Sequence, residues 1–421
     1  MVGLIVLSVS ACAGTPPAAT PSPKAGSVKP TISPAPTESP TSPVPTKSAV
    51  RASPPAPKPS GKQPVGEPIR LGAILALSGP ASNIGVAERD SLMLLEDIIN
   101  GKDGVRGRPV KFIVYDSGGD EGQAVEAARK LIEEDEVVAI IGPSTDAEAL
   151  AMVDAVEKGR ITNVSLASAA QLVRPVRPWI FKLAQHTGLL IGAAMNHMGH
   201  NSISRLALLT EVSSYGDLAK AEFERNATFY GLVVVASERF SERDTAQTAQ
   251  LTGVRVRAPQ ALALWGASEG VVAGVRSARR LGMGLPIYVS DLFATPAFLA
   301  AAGDAASDVL APASAIQLYQ QLPDSHPQKS ITRELVEAFK SRYDRQPDYY
   351  VGLAFDSAQI VLRGIEEVGT DRRRIRDAVE GTVGYVGVTG IYNMTPEDHL
   401  GLAPWNVMMS IVKEGKFMLA Q

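Results

Sequence analysis

From residue 69 onward the chain alternates short, nearly continuous apolar strands with amphipathic helical stretches, and that alternation occurs twice. Residues 69–77 read as a strand, followed by Ser78-Gly79-Pro80 and a helical pattern in which Leu92, Leu95 and Ile99 share a face. Residues 110–115 form a second strand running into Asp116-Ser117-Gly118-Gly119-Asp120. Asp120 reads as the N-cap of a helix whose Ala124, Ala127, Ala128, Leu131 and Ile132 make one apolar stripe. A third strand, residues 137–141, ends at Gly142-Pro143. Strands without polar alternation are buried on both faces, which requires a parallel sheet covered by helices on each side. The pattern restarts with a strand at 205–209, a loop at 210–216 and a helix, then strands at 232–236, 261–265 and 287–289, the last ending at Ser290-Asp291. The expected fold is α/β, with two doubly wound lobes. Open α/β sheets bind ligands beyond the carboxyl ends of their strands, so two facing lobes would gather Ser78, Ser144, Ser168, Tyr215, Ser268 and Asp291 around one cleft.

The chain holds one cysteine, Cys12, so no disulfide can staple its lobes and apolar cores must hold them. Cys12 follows an apolar run over residues 2–9 and the small pair Ser10-Ala11, the pattern of a lipoprotein signal whose cysteine is lipidated. No Lys or Arg precedes Cys12, and the expectation is that the natural start lies a few codons upstream. Residues 13–68 are dense in Pro, Ser, Thr, Ala and Lys and too poor in large apolar residues to offset the entropy of ordering, so they are expected to form an extended tether. The tether carries about +4 of a chain with net charge −3, leaving the body near −7. An acidic body argues against nucleic acid, and the basic run Arg372-Arg373-Arg374 reads as a solvated helix start.

In order along residues 69–417, several stretches resemble the solute-binding proteins of ABC importers of the branched-chain amino acid type, which have the type I periplasmic binding protein fold. They are Leu77-Ser78-Gly79-Pro80, Gly142-Pro143-Ser144-Thr145, Ser165 to Ala170 with Trp179-Ile180-Phe181-Lys182, Tyr215-Gly216, residues 244–252, and Gly387-Val388-Thr389-Gly390 with Thr395 to His399. The resemblance implies two lobes joined by a hinge of three crossings, no catalysis and no cofactor. It also implies delivery of a small amino acid-like solute to a permease and an ATPase by a monomer anchored on the outer face of a membrane. It assigns residues 1–12 to the signal, 13–68 to the tether, 69–186 with 316–385 to lobe I, and 187–315 with 386–421 to lobe II. Carried over by position, Ser144 and Thr145 would hold a ligand carboxylate, helped by a helix N-terminus. Ser168 and the Ala167 carbonyl would meet the ligand's amino group, Asp291 would face that ammonium, Tyr215 would cover the ligand, and Ile84 would form a wall. Two positions depart from the amino acid binders: Asp146 stands where a carboxylate-binding serine is common, and Ala267-Ser268 stand where a tyrosine can occur. A carboxylate at 146 repels a ligand carboxylate unless it turns away as a cap.

Two other functions fit parts of the chain. Gly266-Ala267-Ser268-Glu269-Gly270 matches a nucleophile elbow, with Asp291 and then His326 or His399 in hydrolase order. A tethered sensor would use the same cleft without transport. His197 and His200, three apart, have too few companions for a zinc site, and Asp116 to Glu121 reads as helix capping rather than a calcium loop.

Overall fold

The computed structural model describes residues 64–420, so Cys12 and the tether through residue 63 lie outside the described residues. Residues 64–68 already attach to the body, with the Val65 amide donating to the Gly107 carbonyl at 3.0 Å. The first sheet comprises β1 (Ile69–Leu75), β2 (Val110–Asp116), β3 (Ala139–Ile141), β4 (Thr162–Ser165) and β5 (Ile180–Lys182). Its order is 2-1-3-4-5 and every pair is parallel. Three helices connect these strands: α1 (Ser82–Asn100), α2 (Glu121–Glu133) and α3 (Asp146–Gly159). β1 stops at Leu75, two residues before the expected end, because the Leu77 amide turns to the Asp116 carboxylate at 2.9 Å. Asp120 caps α2 as expected, accepting from the Gln123 amide at 2.8 Å, and Ala124, Ala127, Ala128 and Leu131 are the residues that helix buries.

α4 (Thr187–His200) leads into the second half. There β6 (Arg205–Glu211), α5 (Ser214–Asn226), β7 (Val233–Phe240), α6 (Thr248–Arg255), β8 (Ala261–Trp265), α7 (Gly270–Arg280), β9 (Ile287–Val289), α8 (Pro296–Ala302) and β10 (Val309–Ala313) alternate. The parallel part of this sheet has the order 7-6-8-9-10, repeating the first sheet's 2-1-3-4-5. Fully buried Trp265, at the end of β8, packs edge-on against Phe223 of α5 at 5.4 Å between centroids. Burying one such side chain contributes about 1.5–3 kcal/mol.

After α9 (Ala315–Leu318) the chain returns to the first sheet through α10 (Pro327–Tyr343), α11 (Tyr349–Val368) and α12 (Arg372–Glu380). α11 lies along α1, where the Ser91 hydroxyl donates to the Val351 carbonyl at 2.7 Å. The basic run opens α12 behind the N-cap Asp371, and Arg372 donates to the Val137 carbonyl at 2.7 Å. A short hairpin of β11 (Tyr385–Val386) and β12 (Ile391–Tyr392) follows, held by buried Asp356, which accepts from the amides of Val388 at 2.9 Å and Thr389 at 2.7 Å. The chain then ends on the second sheet, where β13 (Met408–Lys413) pairs antiparallel with β10, and β14 (Lys416–Leu419) with β13. The result is two α/β lobes, one mixed in its sheet, joined by strand-rich connections.

Candidate functional site

Each sheet reverses its strand order once, between β1 and β3 and between β6 and β8, and the carboxyl ends of strands at such reversals are where open α/β sheets bind ligands. Glycines bring the backbone close at both places. Gly142, at φ 101°, would place a Cβ 2.3 Å from the Ile74 carbonyl, and Gly216 would place one 2.0 Å from the Glu211 carbonyl, so neither position accepts a side chain.

On the first lobe, the loop after β3 carries Ser144 and Thr145. The Ser144 hydroxyl accepts from the Ala76 amide at 3.1 Å and donates to the carboxyl of Glu88 on α1. Thr145 forms a capping box with Glu148, whose carboxylate takes the Thr145 amide at 3.0 Å and hydroxyl at 2.6 Å. Asp146, at the start of α3, turns onto the loop after β4: its Oδ1 accepts from the amides of Ser168 at 2.6 Å and Ala169 at 2.9 Å, and its Oδ2 from the Ser168 hydroxyl at 3.0 Å. The Ser168 carbonyl accepts from Lys182 Nζ at 2.6 Å. Lys182 is fully buried, and burial brings its ammonium down to about 7. Glu88 is also fully buried; burial pushes its carboxyl up to about 8 against the opposing Ser144 hydrogen bond, and its Oε1 has no hydrogen-bond partner among the described residues.

On the second lobe, Ser213 caps α5 through the Gly216 amide at 3.1 Å and so sets Tyr215 on the first turn. The Tyr215 hydroxyl accepts from Trp265 Nε1 at 3.2 Å, and burial and the neighbouring Asp291 raise its pKa. Asp291 follows β9; burial brings its carboxyl up to about 6, opposed by its own amide and that of Leu292. Among the described residues no Lys, Arg or His forms an ion pair with it.

Two cavities adjoin these groups. One, of about 290 Å³, has Asp291, Leu292, Thr295 and Ser314 on one side and Asp348, Tyr349 and Tyr350, from the start of α11, on the other. Gln185 completes it and donates its backbone N–H to the Tyr349 hydroxyl at 3.1 Å. The other, of about 620 Å³, is lined by Asp146, Ser168, Arg174, His186 and Thr187 and by Glu222 and Arg225 of α5. His186 caps α4 by accepting the Leu189 amide on Nδ1 at 3.1 Å, and burial, with Lys182 and Arg174 nearby, brings its pKa down to about 3. The imidazole is therefore neutral with its proton on Nε2, a buried donor without a hydrogen-bond partner among the described residues.

Of the residues singled out from sequence, Asp291 lines the smaller cavity, Ser168 the larger, and Tyr215 stands beside Asp291. Ser78, Ile84, Ser144, Thr145, Ala167 and Ser268 line neither. Ser78 gives its amide to Asp116 at 3.2 Å, Ile84 sits half-buried in the first turn of α1, and Ala167 is buried. The Ser268 hydroxyl accepts the Gly270 amide at 3.3 Å, closing the turn into α7. Glu88, Gln185, His186, Tyr349 and Tyr350 escaped the sequence reading. Glu88 alone left a signal: it stands four residues before Leu92, on the same face as Leu92, Leu95 and Ile99.

A family model described as periplasmic binding protein matches residues 68–416. The chain belongs to this family. Periplasmic binding proteins of this kind capture solutes outside the cytoplasm and deliver them to ABC importers without catalysis. The leucine-, isoleucine-, valine-, threonine- and alanine-binding protein of Pseudomonas aeruginosa is 22% identical over 316 residues, 74% of this chain and 82% of that protein. Leu/Ile/Val-binding protein homolog 7 of Brucella abortus is 26% identical over 191 residues, 43% of this chain and 48% of its own length. A Rhodospirillum rubrum structure described as a branched-chain amino acid ABC transporter aligns with TM-score 0.75 and 25% identity over 84% of this chain and 100% of its own. A Streptococcus pneumoniae binding protein in complex with isoleucine aligns with TM-score 0.63 and 22% identity over 84% and 99%.

Proposed function

We propose that this periplasmic binding protein captures one small amino-bearing solute between its lobes and hands it to an ABC permease, tethered to the membrane by a lipid on Cys12. The observation that carries the reading is Asp291: a half-buried carboxylate without a cation partner among the described residues, near Tyr215 and on the opposite side of a cavity of about 290 Å³ from the α11 tyrosines. An ammonium there completes an ion pair, and closure excludes water and strengthens it. Lobe I takes residues 69–186 with 316–385 and lobe II residues 187–315 with 386–421, so the three crossings are the hinge. Both cleft walls come from one chain, so a monomer suffices. The printed specificities of the Pseudomonas and Brucella relatives, and the isoleucine bound in the Streptococcus structure, support a ligand with an amino group.

A thermal-shift screen across amines, amino acids, small amides and aromatic acids tests this, since a ligand at a thousandfold excess over its Kd raises stability by about 4 kcal/mol. The expected hit raises the melting temperature of the wild type, loses affinity about 30-fold or more in Asp291→Ala, and loses less in Tyr215→Phe, which removes one neutral hydrogen bond. Equal or reversed losses would overturn the placement of an amino group at Asp291.

A further inference from the structure

We infer that the solute this cleft accepts is a small organic cation without a carboxylate, because the chain's own carboxylates already occupy the lobe I donors that would receive one. The inference rests on the solute-capture reading and deepens it. Asp146 holds the Ser168 amide and hydroxyl and the Ala169 amide. Glu148 holds the Thr145 amide and hydroxyl, and the Ser144 hydroxyl is given to Glu88. Three carboxyl groups on two helices thus satisfy the donors of Ser144 and Thr145, the positions the resemblance gives to a ligand carboxylate, and of Ser168 beside them. A ligand carboxylate arriving here would have to displace one of them, and at Asp146 or Glu148 it would then sit against a carboxylate.

The cavity beside Asp291 has the same bias. It is lined by two carboxylates, Asp291 and Asp348, and by the rings of Tyr349 and Tyr350, and none of its lining side chains is a Lys, Arg or His. Carboxylates and aromatic faces together attract ammonium and repel anions. Asp348 already accepts the Val351 amide at 3.0 Å as the cap of α11, which leaves Asp291 as the principal counter-charge. Of the basic groups nearby, Lys182 Nζ donates to the Ser168 carbonyl and Arg225 pairs with Glu222 at 2.7 Å, while Arg174 is exposed on the larger cavity, outside the lining of the cavity beside Asp291. A volume of about 290 Å³ lies just below the ~300–1,000 Å³ typical of ligand pockets, which favours a small solute.

The test is titration of the full chain at pH 7.5 with compounds that differ only in the α-carboxylate: isoamylamine against leucine, isobutylamine against valine, cadaverine against lysine, and agmatine against arginine. In each pair that binds, the amine is expected to bind at least tenfold more tightly than the amino acid. Asp146→Ser, which frees the Ser168 and Ala169 amides, is expected to move that preference at least tenfold toward the amino acid; Asp146→Asn, which removes only the charge, serves if the serine variant fails to fold. Tighter binding of the amino acids by the wild-type chain overturns the inference and leaves solute capture intact, as does binding of neutral amides alone. No binding by any amine, amino acid, amide or aromatic acid overturns both.

Discussion

Glu88→Gln separates the effect of burying a carboxyl from the effect of the hydrogen bond it makes. Glu88 is fully buried and its carboxyl, ordinarily near 4.5, is pushed up to about 8. At pH 7 the unfolded chain carries an ionised Glu88 while the folded chain carries a protonated one, so folding takes up a proton. Each pH unit between the two pKa values corresponds to about 1.4 kcal/mol, so the uptake costs about 3 kcal/mol at pH 7. The sign follows from the raised folded value: the folded state binds the extra proton between about 4.5 and about 8, stability falls as pH rises through that window, and the fall levels off above it. Glutamine keeps the shape and can still accept from Ser144, but it does not titrate. The variant is therefore expected to match the wild type near pH 4.5 and to exceed it by about 3 kcal/mol at pH 7. Urea unfolding of both proteins at pH 5, 6, 7 and 8, followed by circular dichroism and tryptophan fluorescence, measures this. A stability difference that stays flat across those pH values would show that Glu88 is ionised in the folded protein and would contradict its raised pKa.

Cys12→Ser is expected to release the protein from the membrane fraction into the soluble fraction; a variant that still pellets with membranes contradicts the anchor. Asp356→Ala should destabilise the protein by about 3–5 kcal/mol, because it strands the buried Val388 and Thr389 amides, and denaturant midpoints measure the loss. Ser268→Ala is expected to leave ligand affinity within about twofold, since its hydroxyl only closes the turn into α7 with the Gly270 amide, and calorimetry reads the result.

The parallel strands were legible where the sequence runs apolar: β8 and β9 fall on the residues read from pattern alone, and β1, β2, β3, β6 and β7 differ only at their ends. β4 was not legible, because Thr162-Asn163-Val164-Ser165 looks polar. The fold absorbs it by burying all four residues, with the Asn163 side-chain amide donating to the Gly142 carbonyl at 2.7 Å. β13 and β14 escaped for a different reason: they add to β10 from far along the chain, and only the turn at Glu414-Gly415, both at positive φ, marked a hairpin locally. The places of Tyr215 and Asp291 in the fold were legible, because one opens a helix and the other directly follows a strand. The partners that decide the chemistry were not, since pattern places Asp146 at the start of α3 but does not show that its carboxylate crosses to the Ser168 loop. Tyr349 and Tyr350 reach the cleft only because α11 folds back onto α1, a long-range packing choice no local window reports.

Solute capture as proposed requires the two lobes to close on one small solute. Small-angle X-ray scattering of the full chain across a titration with the tightest-binding amine of the matched pairs measures that closure. The radius of gyration is expected to fall and to saturate at one ligand per chain, with Asp291→Ala needing at least 30-fold more ligand for the same change. A radius of gyration that stays constant while the amine binds saturably, or a contraction that Asp291→Ala leaves untouched, would contradict it.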